Sequence, residues 1–177
     1  MFLCWSDSRM ARDLVPMFQP DLEEYDYDIA RKYVEDAVTG PVLKRFVEKE
    51  RIRGKNEKFP VAVLNAETKR LTGQAKFQAV RMRHGVMRKI TGKHSDITIE
   101  DMLRAQEAVD DGMVIQPKKN PLKREFFLEV GEVLYVFPHV PTKTGLQVKT
   151  FFKKTEGKED FLKAKKAEGK VLRKQKR

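Results

Sequence analysis

The sequence predicts an α+β fold, in which an N-terminal helical pair and further small helices cover a curved antiparallel β-meander. Apolar residues recur at helical spacing early in the chain, over residues 28–38. Strand-like alternation dominates later, between residues 124 and 153, with turn signals separating three segments. A lysine-rich stretch follows, for which we expect a basic tail that is either helical or disordered.

The length of 177 residues suits one compact domain with extensions. We divide the chain into an N-terminal arm, a helical extension, a main domain and a basic tail, over residues 1–20, 21–56, 57–154 and 155–177. The tail segment from residue 153 onward holds eleven basic and four acidic side chains. The charge of the protein is therefore concentrated at its C-terminal end.

The net charge of +11 favours a polyanionic partner, with nucleic acid, either RNA or packaged DNA, as the first choice. A merely solubilising positive surface is the alternative. Cys4 is the single cysteine, so an internal disulfide is excluded and a reducing compartment is expected. No apolar run approaches the roughly 20 residues of a membrane-spanning helix, so we expect no membrane partner.

The N-terminal helical pair is predicted from caps and apolar stripes. Asp28 can cap a helix that runs to Val38 and ends at Gly40. Pro41 suits the first position of a second helix. The polar residues 51–56 then form a linker.

The middle of the chain alternates short strands and helices. Residues 59–64 are predicted as a strand, and a small helix follows between a cap at Asn65 and a stop at Gly73. Residues 76–82 form a second candidate strand, and residues 83–91 a short helix.

Thr98 and Asp101 have the spacing of a capping box, with Asp in place of the usual Glu or Gln. They predict a helix that ends at Val109, before a turn at Asp110-Asp-Gly112. Gly131 marks a tight hairpin turn within the meander. The three strands of the meander are predicted over residues 124–130, 132–138 and 145–153.

Sequence signatures of cofactor chemistry are missing from the chain. It contains no phosphate-cradling glycine loop, no dinucleotide fingerprint, no paired cysteines and no H-E-x-x-H zinc motif. If the protein is an enzyme, we expect it to work without cofactor or metal. Metal-independent RNA cleavage needs a group that transfers a proton and cations that stabilise the phosphorane.

His94 is the preferred proton-transfer group, since it lies in the polar stretch Gly92-Lys-His-Ser-Asp96. Its alternative is a capping or solvent-facing histidine. Lys89 precedes it by five residues, and its side chain can extend so that the ammonium group lies in a cleft. A simple surface lysine is an equal alternative. His84 and His139 are weaker candidates, and His139 is expected to be structural or exposed.

The last predicted strand has one half-polar face. Period-2 alternation places Gln147, Lys149, Phe151 and Lys153 together, opposite Leu146, Val148, Thr150 and Phe152. An aromatic ring among cations suits stacking on a base and contact with phosphates. An ordinary solvent-exposed face is the alternative.

Residues 59–154 resemble the phage-associated nuclease-like domains of the barnase/EndoU/colicin/RelE superfamily. The resemblance rests on four segments: Pro60-Val-Ala-Val-Leu64, Val80-Arg-Met-Arg-His-Gly-Val-Met-Arg-Lys-Ile-Thr-Gly-Lys-His94, Asp96-Ile-Thr-Ile-Glu-Asp101 and Val148-Lys-Thr-Phe-Phe-Lys153. It implies a metal-independent ribonuclease fold of phage or prophage origin, located in the host cytoplasm or the virion, with phage structural proteins as further partners.

The resemblance also implies roles for individual residues. His94 would act as general acid or base, Lys89 would stabilise phosphate charge, and Thr150 would orient the phosphate. The expected nucleic-acid-binding residues are Lys149, Phe151, Lys153, Lys154 and Arg124. Phe152 departs from the pattern because it stands where such domains carry His or Tyr, and Arg83 stands where they often carry Ser. Two functions follow, an RNA-cleaving enzyme and a catalytically inactive virion or head-morphogenesis protein.

Overall fold

The computed structural model describes residues 27–39, 58–73, 79–83, 85–86, 96–142 and 145–177. The predicted N-terminal arm, the second helix from Pro41 and the linker at 51–56 lie outside the described residues. So does most of the helix predicted over residues 83–91.

The described residues form four helices and eight strands. The helices are α1 (Tyr27–Thr39), α2 (Ala66–Thr72), α3 (Ile99–Asp111) and α4 (Lys158–Glu168). The strands are β1 (Lys58–Val63), β2 (Ala79–Arg83), β3 (Met113–Pro117), β4 (Arg124–Val130), β5 (Val133–Thr142), β6 (Gly145–Val148), β7 (Phe152–Lys154) and β8 (Gly169–Arg173).

All eight strands belong to one sheet, in the order β1-β2-β6-β5-β4-β3-β8, with β7 also paired to β5. The predicted α+β class is confirmed. The sheet is mixed, however, because β2 and β6 run parallel while the other pairs are antiparallel. This parallel pair joins segments far apart in the chain, so no local turn signal predicts it.

Local capping signals place the ends of two helices. The Asn65 side chain accepts a hydrogen bond of 2.9 Å from the Thr68 N–H, and Gly73 ends α2 with φ of 69°. At α3 both capping-box bonds form: the Asp101 N–H donates to Thr98 Oγ1 over 3.2 Å, and the Thr98 N–H donates to Asp101 Oδ2 over 2.8 Å. The predicted capping box is confirmed.

Helices α1 and α3 cover one face of the sheet. Ala30, Val34 and Val38 of α1 are buried in the same core cluster as residues of β1 and α3. The Tyr27 hydroxyl also donates to Asp110 Oδ1 of α3 over 2.7 Å. Residues 27–39, assigned to an extension from sequence, therefore share the core of the sheet.

Helix α4 covers the opposite face. Leu162 is buried there with Ile115, Phe127 and neighbouring apolar residues of β5. The segment left open as helix or disordered tail is a helix, α4, followed by an edge strand, β8, which pairs with β3. Gly169 joins the two, and a Cβ atom there would meet Ile115 Cγ2 at 2.5 Å. Only glycine allows this close approach of the two strands.

Candidate nucleic-acid interface

The predicted last strand, 145–153, is interrupted by a β-bulge. Val148 pairs with His139 of β5, and Phe152 pairs with Val136. Four steps along this segment thus match three steps along β5, so one extra residue lies between β6 and β7. Because side chains alternate with a period of two, the extra residue moves the side chains beyond the bulge to the other face.

The bulge overturns the face predicted from sequence. Phe151 is 0 % exposed, with its ring 6.1 Å from that of Tyr135 and 5.3 Å from that of Phe137. The prediction that Phe151 stacks on a base is therefore wrong, because its ring lies in the core. It contributes apolar burial and aromatic packing to the fold.

Beyond the bulge, Phe152 and Lys154 lie on the α4 side of the sheet. The Phe152 ring meets that of Phe161 edge to face, with centroids 6.1 Å apart. The Lys154 Nζ lies 5.9 Å from the centroid of the Phe161 ring, and the Lys165 Nζ lies 5.7 Å from it. These half-buried rings and cations connect β7 to α4.

Lys153 points to the opposite side, where it contacts the capping box of α3. Its Nζ lies 2.9 Å from Asp101 Oδ2, and the Tyr135 hydroxyl donates to Asp101 Oδ1 over 2.8 Å. Burial alone would raise the pKa of Asp101, but hydrogen bonds from Thr98, Lys153 and Tyr135 hold it below its usual value. Lys153 thus has an intramolecular anionic partner, which competes with its predicted phosphate contact.

Arg124 and Lys149 differ in how far they are engaged. The Arg124 Nε donates to the Leu71 carbonyl over 2.7 Å, at the end of α2, and its Nη1 donates to the Lys123 carbonyl over 2.9 Å. Burial lowers the pKa of the Arg124 guanidinium. Lys149 is exposed and has no ion pair within the described residues. Of these two predicted phosphate contacts, Lys149 is the more accessible.

The structure describes only one of the three predicted catalytic residues. Lys89 and His94 lie outside the described residues, as does His84. Thr150 is half-buried within the bulge. The geometry of the three predicted catalytic groups relative to one another therefore stays a prediction.

His139, expected to be structural or exposed, is 0 % exposed. Its ring meets those of Phe126 and Phe137 edge to face, at 4.6 and 4.5 Å. Within the part of the chain that the structure describes, neither ring nitrogen has a hydrogen-bond partner. Burial lowers the pKa of His139 to about 3, so its ring is neutral at physiological pH.

A group of accessible cations lies along α4 and beyond its C-terminal end. We call this group the lysine surface; it consists of Lys118, Lys119, Lys163, Lys166 and Lys170. All five side chains are exposed, and none is within ion-pair distance of an acidic group among the described residues. The Lys118 Nζ donates to the Ala167 carbonyl over 3.3 Å, which brings the loop after β3 to the end of α4.

Two of the three acidic residues of α4 lie at its other end, whereas Glu168 ends the helix on the side of the lysine surface. Glu159 and Asp160 occupy the first turn, whereas Lys165 and Lys166 occupy the last turn. This arrangement complements the helix dipole.

The lysines of α4 were predicted to lie in an undivided basic tail. The three-residue spacing of Lys163 and Lys166 was a usable signal, because residues at that spacing share one side of a helix. The approach of Lys118 and Lys119 had no such signal, since it depends on the pairing of β3 with β8.

Comparison with protein-family models, with curated proteins and with solved structures gave no match. Among the described residues, no group of three or more His, Cys, Asp or Glu side chains is placed to hold a metal ion. No helix in the described ranges is long and apolar enough to cross a membrane.

Proposed function

We propose that this protein binds RNA through the lysine surface. The observation that carries the proposal is a group of five exposed lysines, on α4, β8 and the loop after β3, without an acidic partner among the described residues. Clustered ammonium groups bind phosphates by displacing condensed counterions, independently of base sequence. The net charge of +11 adds long-range attraction for a polyanion.

RNA cleavage is the catalytic part of this proposal. His94 would transfer the proton, Lys89 would stabilise charge, and Thr150 would orient the phosphate. The polar sequence around His94 supports this assignment. Binding and cleavage are separate claims, because the lysine surface does not include these three residues.

The binding claim is tested by fluorescence anisotropy with a labelled single-stranded RNA. The variant replaces Lys163, Lys166 and Lys170 with Gln. If each lysine contacts one phosphate, we expect affinity to fall about 50-fold at about 0.15 M salt, because each contact with a single strand releases about 0.7 of a counterion.

A control variant replaces Lys32, Lys69 and Arg70, which lie on α1 and α2, with Gln. It has the same net charge as the first variant. We expect its affinity for RNA to lie within about threefold of the wild type, because its lower net charge weakens only the long-range attraction. Equal losses in the two variants would mean that overall charge, not the lysine surface, determines binding. The same assay with DNA of matching length shows which nucleic acid binds more tightly.

The cleavage claim is tested by incubating RNA with wild type and with His94→Ala in the presence of EDTA. We expect the wild type to cut the RNA, and the variant to bind it equally while leaving it intact. RNA that stays whole with bound wild type would rule out the enzyme and leave the binding function.

A further inference from the structure

Arg81 is a charged residue on the buried face of a strand. Its neighbours on β2, Val80 and Met82, lie in the core beneath α1 and α3. Alternation along the strand therefore sends the Arg81 side chain to the opposite face of the sheet. Only 4 % of Arg81 is exposed.

The Arg81 guanidinium has no counter-ion among the described residues. No carboxylate or carbonyl there accepts a hydrogen bond from it, and burial lowers its pKa. Removing a cation from water without a partner is costly, so buried charges in proteins are normally paired. Glu125 lies on the same face but three strands away, and its carboxylate already contacts Lys123 and Lys165.

Arg173 is a matched contrast within the same sheet. It too is buried, with 8 % exposed. Its Nε donates to the Gly112 carbonyl and its Nη2 to the Val109 carbonyl, both over 2.8 Å. It also contacts Glu67 Oε2 at 3.4 Å. Of these two buried arginines, one has acceptors within the described chain and the other has none.

Gln147 lies directly beside Arg81 on the parallel strand β6. It is 5 % exposed, and its side-chain amide has no hydrogen bond to a described residue. Among the described side chains, the polar atoms that are both sealed from solvent and unpartnered belong to His139. The polar atoms of Arg81 and Gln147 are therefore not completely sealed from solvent.

Arg83 extends this group of donors toward solvent. It follows Arg81 by two residues on β2, so it lies on the same face, and its side chain is exposed. A guanidinium fork beside an amide suits an oxyanion, because arginine binds both carboxylate and phosphate groups in two-point fashion. Of these two anions, phosphate is the one that the proposed RNA binding supplies.

We propose that Arg81, Gln147 and Arg83 form a binding site for a phosphate group. This proposal rests on the proposed function, because it takes the ligand to be a phosphate of bound RNA. Free inorganic phosphate has the same chemistry, and the test separates the two sources.

The test measures the melting temperature of the full chain and of the variants Arg81→Met and Arg173→Met. Methionine keeps much of the length of arginine and removes its charge. Without ligand, we expect Arg81→Met to melt within about 2 °C of the wild type or above it. Arg173→Met should melt at least about 6 °C lower, because it leaves buried carbonyl groups unpaired.

The ligand arms use inorganic phosphate and a short single-stranded RNA, each against sodium chloride of equal ionic strength. We expect wild type to gain at least about 3 °C with one or both ligands, and Arg81→Met to gain less than about 1 °C with phosphate. A shift with RNA alone assigns the site to a phosphodiester, and a shift with phosphate alone assigns it to the free anion.

The variant with Gln at Lys163, Lys166 and Lys170 separates this site from the lysine surface. If it still gains stability from phosphate, the Arg81 site exists whether or not the proposed RNA binding holds. The proposal is overturned if Arg81→Met melts as low as Arg173→Met, since Arg81 is then paired within the chain. It is equally overturned if neither ligand stabilises wild type more than Arg81→Met.

Discussion

His139 is a buried base that the fold keeps neutral. Its ring lies between Phe126 and Phe137, and burial lowers its pKa to about 3 from the ordinary value of 6.5. Between these two values the unfolded chain binds a proton that the folded chain excludes. The stability that the neutral His139 contributes is therefore fully present above about pH 6.5, and it is lost as pH decreases toward 3.

The pH dependence of stability tests this account of His139. In urea denaturation, we expect wild type to lose about 2 kcal/mol more than His139→Leu between pH 7 and pH 5. Leucine fills the apolar site without a titratable group. The variant keeps every other ionisable residue, so the difference between the two proteins reports on His139 alone. Parallel stability curves would show that His139 becomes charged without unfolding the protein.

At the scale of the element, local signals in the sequence determined what could be predicted. The capping box at Thr98 and Asp101 requires only neighbouring residues, and it was found. The bulge between β6 and β7 was missed because no glycine or proline marks it, and pairing with β5 creates it. This single insertion explains why Phe151, predicted on the binding face, is in the core.

The C-terminal elements show the same contrast. Gly169 was a readable stop signal for a helix, but the strand that follows it was not predicted. Strand β8 forms because its backbone pairs with β3 and because Arg173 binds carbonyls at the end of α3. Such long-range pairing has no local signature.

Truncation tests whether this segment stabilises the fold. A chain that ends at residue 157 loses Leu162 from the second core cluster and the Arg173 contacts. We expect the free energy of unfolding to fall by roughly 4 kcal/mol or more, measured by urea denaturation. A chain that ends at residue 173 keeps both features and should lose less. Equal midpoints for wild type and the shorter chain would mean that α4 and β8 are dispensable.

At the scale of the whole molecule, one sheet separates two kinds of surface. Helices α1 and α3 cover one face, while α4 covers part of the other face and carries Lys163 and Lys166 of the lysine surface. The sequence predicted the α+β class and the excess of positive charge. It could not predict which cations are free, because ion pairs such as Lys153 with Asp101 form only in the folded chain.

Accessible lysines are central to the proposed function. Many described cations are held by carboxylates or carbonyls, so net charge overstates the number available to a ligand. Lys158, for example, contacts Glu129 and Glu132, and Lys176 contacts Glu67 and Asp111. In the lysine surface Lys118 donates to a carbonyl, but none of the five lysines has a carboxylate partner among the described residues.

The salt dependence of RNA affinity tests that claim most directly. We would measure the dissociation constant of single-stranded RNA at several salt concentrations, for wild type and for the variant with Gln at Lys163, Lys166 and Lys170. We predict that the slope of log affinity against log salt becomes shallower by about 2 in the variant, since three phosphate contacts are lost. An unchanged slope would contradict the proposal that these lysines bind phosphates.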